Sequence, residues 1–132
     1  MRRRGGQRQR TGRGGEDEAC RFLAGIGHSI LQRNYRSRRK EIDIISFDGS
    51  GIHFVEVKSR RLPLAADPSE SVTPAKQKRI AAAAAGFLEK SAEDIPEIAE
   101  SECFFDVVTV IFDESGEASV KYYPQAFTPI FV

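Results

Sequence analysis

The chain has 132 residues, of which 40% are hydrophobic and 30% charged, and its formal net charge at pH 7 is +1. This length is typical of one domain with a core of its own. No apolar run is long enough to span a membrane, and no hydrophobic segment follows the basic N-terminus as in a secretory signal. We therefore expect a cytoplasmic protein without a membrane partner.

The charge is distributed unevenly along the chain. Residues 1–79 hold 18 Lys and Arg against 9 Asp and Glu, a balance of +9, whereas residues 80–132 hold 2 against 10, a balance of −8. Such an asymmetry favours a basic surface that attracts a polyanion over charges that only keep separate helices soluble. Nucleic acid is therefore the expected partner.

The first segment, residues 1–14, holds six arginines, no acids and almost no apolar side chains. It is predicted to be a flexible basic arm ahead of a single domain over residues 15–132. Phosphate binding by this arm and a dispensable tail stay equal alternatives. A helix is predicted from Glu16 to Ala24, and helical spacing puts Glu16 at the edge of an apolar stripe that ends with Ile26.

A predicted strand over residues 29–35 and a basic run over residues 36–40 lead into two apolar, β-branched segments. The turn Asp48-Gly49-Ser50-Gly51 joins these segments, which predicts a β-hairpin. A turn centred on Gly49-Ser50 sets four pairs on one face: Phe47 and Ile52, Ile45 and Phe54, Asp43 and Glu56, and Glu41 and Lys58. The other face is wholly apolar and must be buried, with Ile42, Ile44, Val55 and Val57.

The pair Asp43 and Glu56 is the most informative feature of this hairpin. Carboxylates opposite each other, about 5 Å apart, destabilise a sheet unless a cation lies between them. Hard cations such as Mg²⁺ or Mn²⁺ bind carboxylate oxygens, and one ion would bridge the pair with help from the Val57 carbonyl. Lys58 lies on the same face and would steady negative charge on a phosphate. The pattern therefore favours metal-dependent hydrolysis of phosphodiesters.

A structural alternative stays open, in which these acids and Lys58 form a surface salt-bridge ladder. It is disfavoured because the same face is apolar for half its length, which predicts that the face is covered and that the acids lie where it meets solvent. The interpretation depends on the register, since a slip of one residue would turn Asp43 to the wrong face.

A second helix is predicted to begin after Thr73 as its N-cap and to continue to about Glu89, behind a loop over residues 62–71 that borders the cleft. Lys76 and Gln77 lie in its first turn and are candidates for contacting phosphate or water. A lysine that only packs its stem against the fold is the alternative for Lys76. A short helix or loop is then predicted over residues 92–102, followed by strands over residues 103–112 and 118–123.

Other polar residues are predicted to be structural. Asp106 lies in a strongly apolar strand and is expected to meet a basic side chain. Cys20 and Cys103 lack the spacing of a metal motif and are predicted to be small core residues. His28 and His53 are far apart in the sequence, so no zinc site is predicted.

Asp43 followed by Glu56-Val57-Lys58 resembles the bipartite signature of the PD-(D/E)XK nuclease superfamily. From about Gly12 the chain resembles the YraN-like family of small bacterial proteins, which is related to archaeal Holliday-junction resolvases. The matching segments are Gly12–Glu16, Ile30–Arg36, Glu41–Ile45, Phe54–Arg60, Val72–Gln77, Phe105–Val108 and Gln125–Phe127. The chain departs from the family's pattern at Lys40, usually glycine, and at Phe104, often arginine, and neither change removes an expected metal ligand.

The resemblance implies an α/β domain of the restriction-endonuclease-like fold, with a mixed central sheet flanked by helices. It implies a site in which Asp43 and Glu56 hold Mg²⁺ or Mn²⁺, Lys58 stabilises the transition state, and Glu16 completes the metal shell or orients the attacking water. The expected substrate is DNA, with branched recombination or repair intermediates as candidates. A homodimer is expected by analogy with the resolvases.

The basic residues near this site are expected to contact the nucleic-acid backbone: Arg36, Arg38, Arg39, Lys40 and Arg60, together with Lys76 and Gln77. Two alternatives to a nuclease stay open. One is a non-catalytic nucleic-acid-binding module on the same scaffold, and the other is a scaffold for protein interaction.

Overall fold

The chain folds in the order α1 (Arg3–Gly25), β1 (Ser29–Ser37), β2 (Lys40–Asp48), β3 (Gly51–Arg61), α2 (Pro74–Asp94), α3 (Pro96–Ala99), β4 (Cys103–Phe112) and β5 (Ala118–Tyr123). The computed structural model describes residues 3–63 and 72–129, and for residues 3–13 and residue 99 it describes only the backbone. Among these described helices, none is long and apolar enough to cross a membrane.

The five strands form one mixed sheet in the order β1-β2-β3-β4-β5. Strands β1, β2 and β3 are antiparallel neighbours, β3 and β4 are parallel, and β4 and β5 are antiparallel. A parallel neighbour requires a crossover connection, and the chain between β3 and β4 supplies it with α2 and α3.

A helix covers each face of the sheet. On one face α2 buries Ile80, Ala83, Ala84 and Phe87 against Ile45, Ile52, Phe54, Phe105 and Val107. On the other face α1 buries Ala19 and Leu23 against Ile44, Val55, Val108 and Val110. Strand β3 is therefore covered on both faces over residues 51–56, which explains why that stretch is so apolar.

This architecture confirms the predicted fold class, a single α/β domain with a mixed sheet flanked by helices, restriction-endonuclease-like. Strands β4 and β5 have the predicted bounds. Helix α2 begins as predicted, because the Thr73 side chain accepts a hydrogen bond of 3.2 Å from the Lys76 N–H and Pro74 follows the cap. It continues to Asp94, past the predicted end.

The first helix differs from its prediction at both ends. It begins at Arg3 rather than at Glu16; whether residues 1–14 form an arm separate from the domain stays a prediction. Ile26 is 50% exposed and does not belong to the buried stripe, because the helix ends at Gly25. The predicted cleft-bordering loop falls mostly on residues 64–71, which lie outside the described residues.

The two hairpin turns have different chemistry. In the β2–β3 turn the Asp48 carboxylate accepts hydrogen bonds from the Ser50 N–H at 2.9 Å and the Ser50 hydroxyl at 2.6 Å. In the β1–β2 turn both Arg38 and Arg39 have positive φ, 51° and 70°. That conformation is the one for which Asn-Gly is normally selected, so the two arginines occupy a strained turn.

Candidate active site

The candidate site lies where β2 and β3 separate. The observed register pairs Phe47 with Ile52 and Ile45 with Phe54, which confirms the apolar half of the predicted pairing. The ladder ends at Ile44 and Val55, so the carboxylates do not face each other across a regular pair. Instead, the Asp43 carboxylate accepts a hydrogen bond of 2.8 Å from the Val57 N–H and occupies the gap between the strands.

The alternation of β2 is interrupted at this point. Ile42 packs in the same cluster as Ile45, under α2, whereas Ile44 packs under α1. The prediction that Ile42 shares a face with Ile44 is therefore wrong. The neighbouring strand is irregular at the same place, because Asn34 of β1 has a φ of 52° and Asn34 and Asp43 are skipped in the β1–β2 pairing.

The two acids are close and at least half-buried. Glu56 is 8% exposed and Asp43 is half-buried, and the two carboxyl groups lie close enough for Glu56 to affect the ionisation of Asp43. Burial first, and then the neighbouring Glu56 carboxyl, raise the pKa of Asp43 to about 9, against the opposing effect of the Val57 N–H. A raised pKa favours the uncharged form of Asp43, which lessens its repulsion with Glu56 at the place where the sequence predicts a cation.

A lysine from α2 reaches this pair. The Lys76 ammonium forms an ion pair with Glu56, at 2.8 Å from Oε2. The angles of this contact are not those of a hydrogen bond, so the buried Oε2 atom accepts no hydrogen bond. Lys76 was predicted to contact phosphate, and the ion pair adds a partner that the sequence did not suggest. Gln77 donates a hydrogen bond of 3.0 Å to the Val72 carbonyl, which fixes the start of α2.

Helix α1 delivers Glu16 to the same end of the sheet. With its amide turned to satisfy both neighbours, Asn34 donates to Glu16 Oε2 at 2.8 Å and to Glu41 Oε1 at 3.3 Å. The charge of Glu16 contributes to the raised pKa of Asp43, which puts Glu16 within electrostatic reach of the acid pair. Asn34 was missed as a site residue, although asparagine is enriched at positive φ and it lies in a segment that matches the family's pattern.

Gly15 was also missed. It is buried, and a Cβ at this position would overlap the Ser59 side chain of β3. From the sequence, the glycines before Glu16 are interpreted only as the segment that precedes a helix. Their spacing does not indicate which glycine contacts the sheet. The close contact brings the first acid of α1 next to β3.

The predicted metal ligands form a pair rather than a closed cluster. Within residues 14–63 and 72–129, Glu16, Asp43 and Glu56 do not supply three ligand atoms within 4.8 Å of one another. A hard cation at Asp43 and Glu56 would thus draw further oxygens from the backbone, as predicted for Val57, or from water. Lys58 lies two residues beyond Glu56 on β3, beside Thr109 of β4.

The predicted nucleic-acid-binding residues lie at the ends of β1, β2 and β3. Arg38 and Arg39 form the exposed β1–β2 turn, and Lys40 begins β2. Arg36 is 3.7 Å from Glu41, and Arg60 donates a hydrogen bond to the Ser59 carbonyl. Their contacts with nucleic acid stay a prediction.

The buried Asp106 meets a basic side chain as predicted. Its carboxylate lies 2.6 Å from His53 Nδ1 and accepts hydrogen bonds from the Tyr122 hydroxyl at 2.6 Å and the Gln125 N–H at 2.9 Å. The argument that His28 and His53 are too far apart for a shared site is wrong, because their ring centroids are 4.4 Å apart. Separation along the chain says little about two residues brought together by β1–β2–β3 pairing.

Comparison with known proteins places the chain among bacterial relatives. The family model of the uncharacterised protein family UPF0102 matches residues 15–110. The UPF0102 protein of Chlorobaculum tepidum is 47% identical over 115 residues, which cover 87% of this chain and 85% of that protein. The UPF0102 protein of Symbiobacterium thermophilum is 40% identical over 119 residues, 90% of this chain and 97% of that protein. The chain therefore belongs to the UPF0102 family, in agreement with the resemblance drawn from its motifs.

Proposed function

We propose that this protein is a Mg²⁺- or Mn²⁺-dependent nuclease that hydrolyses DNA phosphodiester bonds, with branched recombination or repair intermediates as its substrate class. The observation that carries the proposal is the close pair of Asp43, held by the Val57 N–H, and Glu56, which is 8% exposed; burial and the Glu56 carboxyl raise the pKa of Asp43. Desolvation and mutual repulsion make such a pair costly to retain. A function that requires both carboxylates explains why the fold keeps them.

The donor atoms at this pair fit a hard divalent cation. Both side chains offer oxygens, and Glu56 Oε2 is buried without a hydrogen-bond donor, so its lone pairs are available once the lysine withdraws. When bound, the metal would lower the pKa of a water molecule and neutralise charge on the phosphate.

The other residues take roles that follow from their positions. Lys58, two residues after Glu56 on β3, would stabilise the negative charge that develops on the phosphoryl oxygens. Glu16, held by the Asn34 amide, would accept a hydrogen bond from the attacking water and orient it. The arginines of the β1–β2 turn would hold the phosphate backbone next to the scissile bond.

The test is cleavage of labelled four-way-junction, flap, duplex and single-stranded DNA in Mg²⁺, Mn²⁺ or EDTA. Wild type is expected to cut in metal and not in EDTA, and Glu56→Gln, which keeps the shape but removes the charge, is expected not to cut. Glu114→Gln, an exposed change in the β4–β5 turn, serves as the matched control and retains activity. Equal cleavage by wild type and Glu56→Gln would overturn the proposed site.

The Lys76 ion pair favours a second candidate, a nucleic-acid-binding module without catalysis. An ammonium 2.8 Å from Glu56 is a built-in cation that would take the place of a metal. Binding of Mn²⁺, followed by electron paramagnetic resonance, separates the two functions without relying on activity. If the protein is a nuclease, wild type binds Mn²⁺, and Lys76→Gln binds it at least as tightly. If it is a binding module in which Lys76 replaces the metal, wild type binds no Mn²⁺, and Lys76→Gln lowers the stability of the fold.

A further inference from the structure

A second group of potential ligands lies on the other face of β3 from Glu56. His28 precedes β1, Asp48 ends β2, and His53 belongs to β3. One ligand atom from each residue lies within 4.8 Å of the other two, and no other such group of His, Cys, Asp and Glu occurs in residues 14–63 and 72–129. The proposed nuclease site uses none of these side chains.

The two imidazole rings present the same nitrogen to Asp48. His53 Nε2 lies 2.8 Å from Asp48 Oδ1, and His28 Nε2 lies 3.4 Å from Asp48 Oδ2. The other ring nitrogen of each histidine is hydrogen-bonded on the side away from Asp48. His53 Nδ1 lies 2.6 Å from the Asp106 carboxylate, and His28 Nδ1 lies 2.9 Å from the Ser46 hydroxyl. A carboxylate or hydroxyl behind each Nδ1 sets the ring orientation, the arrangement found around histidine ligands in metal sites. Each Nε2 then faces Asp48, and a bound metal would replace the hydrogen bonds that His53 Nε2 makes with Asp48 at 2.8 Å and Ser50 at 3.3 Å.

Burial and packing hold the ligands in place. The whole residues His28 and His53 are 7% and 5% exposed, whereas the Asp48 side chain is 25% exposed and opens the group to solvent. Phe104 stacks on the His53 ring at a centroid distance of 5.0 Å, and Tyr122 meets the His28 ring edge-on at 6.1 Å. The rings are therefore fixed before any ion arrives, which lowers the cost of binding one.

We propose that His28, Asp48 and His53 form a site for a divalent transition metal ion, with Zn²⁺ as the best fit. Two imidazole nitrogens and one carboxylate suit Zn²⁺, whereas Mg²⁺ prefers oxygen ligands only. Three protein ligands leave a fourth position for water. The ion would tie the start of β1 to the β2–β3 turn and, through Asp106, to β4, so its binding is expected to stabilise the fold.

The first test uses the wild-type chain, produced without a polyhistidine tag and stripped with a chelator. The sequence contains only two histidines, so long-range proton–nitrogen spectra show two imidazoles. One equivalent of Zn²⁺ is expected to shift both Nε2 resonances and leave both Nδ1 resonances protonated, and to raise the melting temperature. Zn²⁺ that leaves the imidazole resonances unchanged would overturn the proposal, whatever else it binds.

The second test compares two isosteric variants by competition with a chromophoric chelator. Asp48→Asn keeps the turn geometry but removes the anionic ligand, and it is expected to weaken Zn²⁺ binding by at least the tenfold to 100-fold typical of losing a supporting group. Asp43→Asn removes one carboxylate of the proposed nuclease site and is expected to bind Zn²⁺ as wild type does. Loss of Zn²⁺ binding in Asp43→Asn but not in Asp48→Asn would assign the ion to the nuclease site and overturn the proposal.

Discussion

Asp43 couples the stability of the fold to pH. Its carboxyl has a pKa of about 3.9 in an unfolded chain and about 9 in the folded protein, so folding takes up a proton between these values. A raised folded pKa means that this group is most favourable for folding below about pH 4 and becomes less favourable as the pH rises toward 9. The amide of Asp43→Asn removes this dependence and keeps an oxygen for the Val57 N–H.

We therefore expect Asp43→Asn to be more stable than wild type at about pH 8 by more than about 1 kcal/mol, the equivalent of one pKa unit. The difference should shrink toward about pH 5. Urea unfolding across this range, in EDTA, measures it. Asp94→Asn, an exposed change at the end of α2, is the control for the loss of one negative charge. A difference that stays constant with pH would contradict the coupling.

At the scale of elements, the contact between α1 and β3 sets the position of Glu16. The contact depends on Gly15, where a Cβ would overlap Ser59. Gly15→Ala is expected to cost about 1–3 kcal/mol of stability, as overpacking does, and to lower cleavage by moving Glu16 away. Gly25→Ala in the same helix meets no atom within 4 Å and is expected to be neutral or slightly stabilising. Thermal unfolding compares them, and equal melting temperatures would refute the close contact.

The elements differ in how far the sequence predicts them. The alternation of apolar residues and the turn residues predict the β2–β3 register as far as Ile44. A slip of one residue there would turn apolar side chains to the opposite face of the sheet. The break at Asp43 was not predictable from β2 alone, since it coincides with the left-handed backbone of Asn34 in another strand. The Lys76–Glu56 ion pair was likewise not predictable, because it depends on how α2 packs across the sheet, and the spacing of residues along the chain does not determine that packing.

At the scale of the whole molecule, the sheet order separates the basic and acidic turns. The β1–β2 turn with Arg38 and Arg39 lies at one edge of the sheet, and the β4–β5 turn with Asp113, Glu114 and Glu117 lies at the other. The imbalance between residues 1–79 and 80–132 thus has a spatial counterpart in the turns. A polyanion would be attracted to the β1 edge and repelled from the β5 edge.

The double variant Arg38→Asn/Arg39→Gly separates binding from stability. Asn-Gly suits the positive φ of both positions, so the variant is expected to be more stable by about 1 kcal/mol. It removes two positive charges and should weaken DNA binding, lowering the slope of log affinity against log salt by about 1 to 2. Fluorescence anisotropy across a salt series measures this. Lys90→Gln/Lys121→Gln removes the same charge from residues 80–132, and an equal loss in that control would mean that only net charge matters.

The parallel pairing of β3 with β4 has a consequence for the order of folding. The β2–β3 hairpin joins neighbours along the chain and forms on a scale of about 1–10 μs, whereas pairs such as Ile52 and Cys103 must first close a long loop. Asp43 and Glu56 therefore meet while water still surrounds them, and their repulsion grows only when α2 and β4 dock. We expect neutralising that pair, by a proton or by a cation, to slow unfolding more than it speeds folding and so to lengthen the lifetime of the native state.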